Sequence, residues 1–117
     1  MIRHIVMWRV SGETREENLA SRQLVKRSFE GLRGLIPGMH HLEIGMDSSA
    51  TEYACDVVLV TDFESQDALD AYASHPEHLR VRQQLGCIRT ARFQVDYPVE
   101  PLISASLSTV ETANAGI

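Results

Sequence analysis

The chain has 117 residues, 44% of them hydrophobic, which is enough for one core and too short for two. Its net charge of −5 sets sixteen acids against ten arginines and Lys26. That balance argues against binding to nucleic acid or to anionic membranes, since both need clustered positive charge.

Residues 2–10, Ile-Arg-His-Ile-Val-Met-Trp-Arg-Val, read as a strand. On a period of two, Ile2, His4, Val6, Trp8 and Val10 share one face and Arg3, Ile5, Met7 and Arg9 the other. Apolar residues on both faces predict a strand covered twice. Thr14 and Glu17 form a capping box that starts a helix. Ala20, Leu24, Val25, Phe29 and Leu32 continue it at helical spacing, and Gly34 and Pro37-Gly38 end it. A second strand alternates His40, Leu42, Ile44 and Met46 with Met39, His41 and Glu43. The third sets Cys55, Val57, Leu59, Thr61 and Phe63 against Asp56, Val58, Val60 and Asp62. Ser65 is the expected N-cap of a short helix carrying Ala68, Leu69 and Tyr72. Ser74-His-Pro-Glu77 reads as a second capping box, whose helix runs to about Leu85 with Gly86 at C′. A last strand covers Arg92 to Tyr97, with Phe93, Val95 and Tyr97 on one side.

The order β-α-β-β-α-β predicts an α+β, ferredoxin-like domain: an antiparallel four-stranded sheet with helices on one face. The domain is expected over residues 1–98, with 99–117 a Ser/Thr/Ala-rich tail. The other sheet face has no cover from the chain itself, so a homodimer through that face is expected. No apolar run approaches the roughly 20 residues of a membrane span. Arg3, His4 and Arg9 interrupt the only apolar stretch near the N-terminus, unlike a signal peptide. A cytoplasmic location follows as an expectation. Cys55 and Cys87 have no metal spacing and no CxxC motif, and are expected as reduced, half-buried structural thiols.

The chemistry concentrates in Asp70-Ala-Tyr-Ala-Ser-His-Pro-Glu-His78 and in His4. Only the imidazole changes charge near neutrality, so a Tyr/His cluster beside an apolar cavity can move protons without a cofactor. His4 lies on an apolar strand face and needs a partner there. It is either a core histidine bonded to Tyr72, His78 or a backbone carbonyl, or a pocket acid/base. His78 shares a helix face with Val81, Arg82 and Leu85 and can point toward the sheet. His75 is a cap-region residue or a pocket contact, and Tyr72 is a wall residue or the acid partner of an imidazole. His75 and His78 have HxxH spacing, yet zinc wants three or four convergent ligands and Pro76 constrains the pair, so no metal is expected. His40 and His41 face opposite ways and cannot form one site.

Several of these segments together resemble the stress-responsive A/B barrel (Dabb) family, a branch of the dimeric α+β barrels. They are Ile2-Arg-His-Ile-Val, Ile36-Pro-Gly38, Asp62-Phe-Glu-Ser65, Ala71-Tyr-Ala-Ser-His-Pro-Glu-His78 and Val95-Asp-Tyr97. The resemblance implies a ferredoxin-like protomer in a homodimeric barrel. It also implies a pocket in which Tyr72 and His78 act as acid and base and His4 lines the wall, as in the family's cofactor-free plant polyketide cyclase. The chain departs from that enzyme at Val57, which stands where it has histidine, at Val25, which stands near a phenylalanine position, and at Trp8, which replaces a smaller aliphatic residue. The expected catalytic set is His78, Tyr72 and His4. Trp8, Val6, Val25, Phe29, Val57, Leu59 and His75 are expected to contact a small carbonyl-containing molecule, and no cofactor is expected. The expected activity is that of a lyase or cyclase, the alternative being a non-catalytic binding or stress-associated homodimer.

Overall fold

In a computed structural model, which describes residues 1–100, the elements run β1 (Ile2–Val10), α1 (Arg15–Glu30), β2 (Met39–Met46), β3 (Val57–Phe63), α2 (Gln66–Ala73), α3 (Pro76–Leu85) and β4 (Arg89–Pro98). The strands form one antiparallel sheet in the order β2-β3-β1-β4. This is the ferredoxin-like α+β fold. The expected tail falls almost wholly on residues 101–117, outside those described, and sheet pairing reaches one residue past the expected boundary, where the Val99 N–H donates to the Met1 carbonyl at 2.9 Å.

The period-two reading of β1 matches its burial: His4, Val6, Trp8 and Val10 are buried while Met7 and Arg9 are exposed. Val57, Leu59, Thr61 and Phe63 of β3 join them under the helices. Helix α1 supplies Val25 and Phe29 to this core, and Leu32 follows from the turn after it. On the opposite face, Met7, Phe93, Val95 and Tyr97 are all exposed large apolar residues. Among the described residues no helix is long and apolar enough to cross a membrane.

The boundaries differ from expectation in four places. Helix α1 stops at Glu30, where the Gly31 N–H closes on the Arg27 carbonyl at 3.1 Å. Strand β3 begins at Val57, two residues after the expected Cys55; just before it the Asp56 N–H donates to the Trp8 carbonyl, and the Asp56 carboxylate takes the Val10 N–H and the Arg22 guanidinium, all at 2.8 Å. Strand β4 starts at Arg89, which pairs with Val10 across a register shift in β1. His75, not Ser74, caps α3, its Nδ1 accepting the Glu77 N–H at 3.1 Å. Pro76 explains the last shift, since its fixed φ and missing N–H suit the first helical position and move the cap to the residue before it. Cys55 and Cys87 are both free, but only Cys55 is half-buried; Cys87 is exposed.

Candidate functional site

The inner face of the sheet is filled under α1 and hollow where α2 meets α3. A cavity of about 560 Å³ opens there against β1 and β4, bounded by His4, Trp8, Phe29, Leu59, Tyr72 and His78 among others. A smaller hollow of about 200 Å³ shares His4, Tyr72 and His78 and reaches Gln94 and Asp96. Val6 also lines the larger cavity. The remaining expected contacts lie elsewhere. Val25 (0% exposed) and Val57 (2%) are packed into the core, and the His75 ring is occupied in capping α3.

The backbone explains why the three proton-bearing side chains meet. His4 points inward from β1 by strand alternation, and Tyr72 lies on the buried stripe of α2 with Leu69. His78 stands in the first turn of α3, directly after the reversal at Ser74 and His75. The Tyr72 and His78 ring centroids lie 4.3 Å apart, and those of His4 and Tyr72 6.3 Å. Phe63 packs on both His4 and Tyr72, at 6.4 and 5.2 Å, and fixes their edges.

Hydrogen bonds set the tautomers. The His78 Nδ1 lies 3.1 Å from the Ala73 carbonyl. A carbonyl only accepts, so Nδ1 carries the hydrogen and Nε2 is the basic nitrogen of the neutral ring. Burial lowers the His78 pKa below its ordinary 6.5, a shift that the Ala73 bond opposes and the charges of Arg82, Arg89 and His4 reinforce. The ring is therefore neutral at neutral pH. Burial acts oppositely on the Tyr72 phenol, holding it protonated well above its ordinary 10.0 against the pull of Arg89 and Arg92. Tyr72 is thus a hydrogen-bond donor and His78 an acceptor. His4 places Nδ1 2.6 Å from the Asp96 carboxylate, so Nδ1 donates and Nε2 is the nitrogen left over. Its partner is Asp96, rather than any of the three groups expected from the sequence.

Sequence reasoning missed Asp96 and three arginines on the cavity wall, Arg82, Arg89 and Arg92. The signal for Arg92 and Asp96 was present in β4. Arg92, Gln94 and Asp96 alternate with Phe93, Val95 and Tyr97, and they pair in register with Trp8, Val6 and His4. Directly opposed residues share a sheet face, so β4 turns its polar row toward the helices and its apolar row outward. Arg89 lies over the rings of Trp8 and Phe29, 5.4 and 5.9 Å from their centroids. Those two rings stack on each other at 4.9 Å. Among the described residues no three His, Cys, Asp or Glu side chains converge as a metal site would require.

Residues 2–99 match the stress responsive A/B barrel domain family. Among solved structures, the chain is similar to a dimeric protein of unknown function with a ferredoxin-like fold from Bacteroides fragilis NCTC 9343. They share 27% identity at a TM-score of 0.74, over 84% of this chain and 95% of that one. It also shares its fold with a Dabb-family protein from Mesorhizobium loti, at 21% identity and a TM-score of 0.67 over 86% and 97% of the two chains. The hydroxynitrile lyase of Passiflora edulis has the same fold at 14% identity and a TM-score of 0.69, over 88% and 96%. No curated protein matches the chain. With the family match spanning nearly the whole described length, the chain belongs to the stress responsive A/B barrel domain family.

Proposed function

We propose that this protein is a cofactor-free acid/base enzyme of the lyase or cyclase class that acts on a small carbonyl compound. The observation that carries the reading is the Tyr72–His78 pair, 4.3 Å apart on the wall of a cavity of small-molecule size. His78 Nε2 removes a proton from the carbon next to the substrate carbonyl. The Tyr72 hydroxyl, held protonated, donates to the oxygen on which the charge collects. His4 positions that oxygen or the leaving group, and Asp96 orients the His4 ring. Trp8, Val6, Phe29 and Leu59 supply apolar walls. A relative of the same fold is a hydroxynitrile lyase, which favours this class without naming the substrate.

The functional unit in this reading is a homodimer. The outer sheet face presents Met7, Phe93, Val95 and Tyr97 to solvent, an apolar surface of the kind that pairs with a second copy. A similar structure is described as dimeric. Residues 1–98 form the working domain, and the two free thiols accord with a cytoplasmic location.

The test follows deuterium wash-in at the α-carbon of simple aryl ketones such as acetophenone. Wild-type protein should accelerate exchange, and His78→Ala should lose about 10²–10⁴-fold of that acceleration. Exchange no faster than in His78→Ala would sink the enzymatic reading. If ligands then still bind, and His78→Gln leaves their affinity intact, the second reading stands: a small-molecule-binding homodimer without turnover.

A further inference from the structure

The groups around the cavity are unbalanced in a way that the proton-transfer pair does not explain. The protein carries a net charge of −5, yet three guanidiniums, Arg82, Arg89 and Arg92, line one hollow. Among the described residues the ion pairs are Arg3–Asp62, His4–Asp96, Arg22–Asp56, Lys26–Glu30, His40–Glu64, His41–Glu43 and Arg80–Glu77. None involves the three cavity arginines. Arg89 is half-buried against Trp8 and Phe29, and ring faces offer no oxygen to its five N–H donors. The Trp8 Nε1 is buried without a hydrogen-bond partner. The two carboxylates of the adjoining hollow are already engaged, Asp96 by His4 and Gln94 and Asp70 by Gln66. The lining of this cavity thus holds three guanidiniums and no carboxylate, and the charges of Arg82 and Arg92 act on Arg89. An arrangement of that kind costs stability unless something negative completes it.

Resting on the site proposed above, we infer that the cavity takes an organic carboxylate, its anion held by Arg89 and Arg92 with Arg82 at the mouth, and its apolar body against Trp8 and Phe29. Planar guanidinium forks match a carboxylate in a way that a point charge does not. The aromatic walls favour an apolar-bodied acid over a bare inorganic anion. Burial first, and then the charges of Arg82 and Arg92, lower the Arg89 pKa; a bound carboxylate would relieve the part due to those charges.

Trp8 is the sole tryptophan of the chain and sits on the cavity wall, so its fluorescence reports occupancy with no need for turnover. The probes are 4-butylbenzoate, its neutral amide 4-butylbenzamide, and inorganic phosphate. The acid should bind at least about tenfold tighter than the amide, the worth of one charge-assisted bond. Arg92→Gln, at an exposed position, should weaken the acid and leave the amide unchanged, and Arg89→Gln should do so more strongly. Tyr72→Phe should retain the preference for the acid even where exchange activity is lost, which separates this inference from the proton-transfer reading. Equal affinity for acid and amide would overturn it, as would no binding of either probe. Phosphate competing as well as the acid would mark a general anion site and overturn the carboxylate assignment.

Discussion

Strands β1 and β3 carry apolar residues on both faces, whereas β4 carries its large apolar residues only on the face away from the helices. On β1 and β3 the inward row is Val6, Trp8, Val57, Leu59 and Phe63, all at most 2% exposed. On β4 the inward row is Arg92, Gln94 and Asp96, and Phe93, Val95 and Tyr97 point out. The same sheet thus builds a dry core along one side and a polar-edged hollow along the other. One edge strand does two tasks that a core strand cannot combine. It lends charged groups to a cavity and apolar groups to the open face of the sheet.

The contrast can be broken at either end. At the hollow end, His78→Ala should remove about 10²–10⁴-fold of proton-transfer activity. Because His78 is only half-buried, thermal unfolding should move by no more than about 1 kcal/mol. At the filled end the effects should exchange. Leu32→Ala, at a fully buried position, should cost about 2–5 kcal/mol of stability in denaturant titration, with the rate per folded molecule unchanged.

Smaller effects sharpen the picture. Phe93→Asp on the outward row should shift sedimentation from dimer to monomer while circular dichroism stays native. Asp96→Asn should slow exchange about tenfold by weakening the charge-assisted bond that orients His4. The dependence on pH should be one-sided. His78 works as a base, and its pKa lies below 6.5, so the rate should hold steady through neutrality and fall only as pH drops below that value. Tyr72 stays protonated well past 10.0, so no alkaline limb should appear in the mildly basic range. Stability should follow the same sense. Folding depresses the His78 pKa, so its contribution is present above 6.5 and declines as pH falls below it.

Much of this was readable in advance. The two faces of β1, the Thr14 cap and the meeting of His4, Tyr72 and His78 follow from periodicity and from the β-α-β-β-α-β order. Less was visible where two signals competed. Ser74 and Glu77 satisfy the capping-box spacing, but Pro76 overrode it by claiming the first helical position, and His75 became the cap. Val25 and Val57 are apolar and inward-facing, which strand and helix patterns report equally well for a wall residue and a core residue; only packing separates them. The polar row of β4 was legible once its partner was known. Asp96 becomes a candidate partner of His4 through pairing across 92 residues of sequence, and local pattern carries no record of that distance.

The central claim is that the hollow holds a neutral His78 with Nε2 free to take a proton. Heteronuclear NMR of the imidazole nitrogens, followed through a pH titration, addresses it most directly. The account predicts the Nδ1–H tautomer at neutral pH and a titration midpoint below 6.5. A ring protonated on Nε2 instead, or one titrating at or above 6.5, would contradict it.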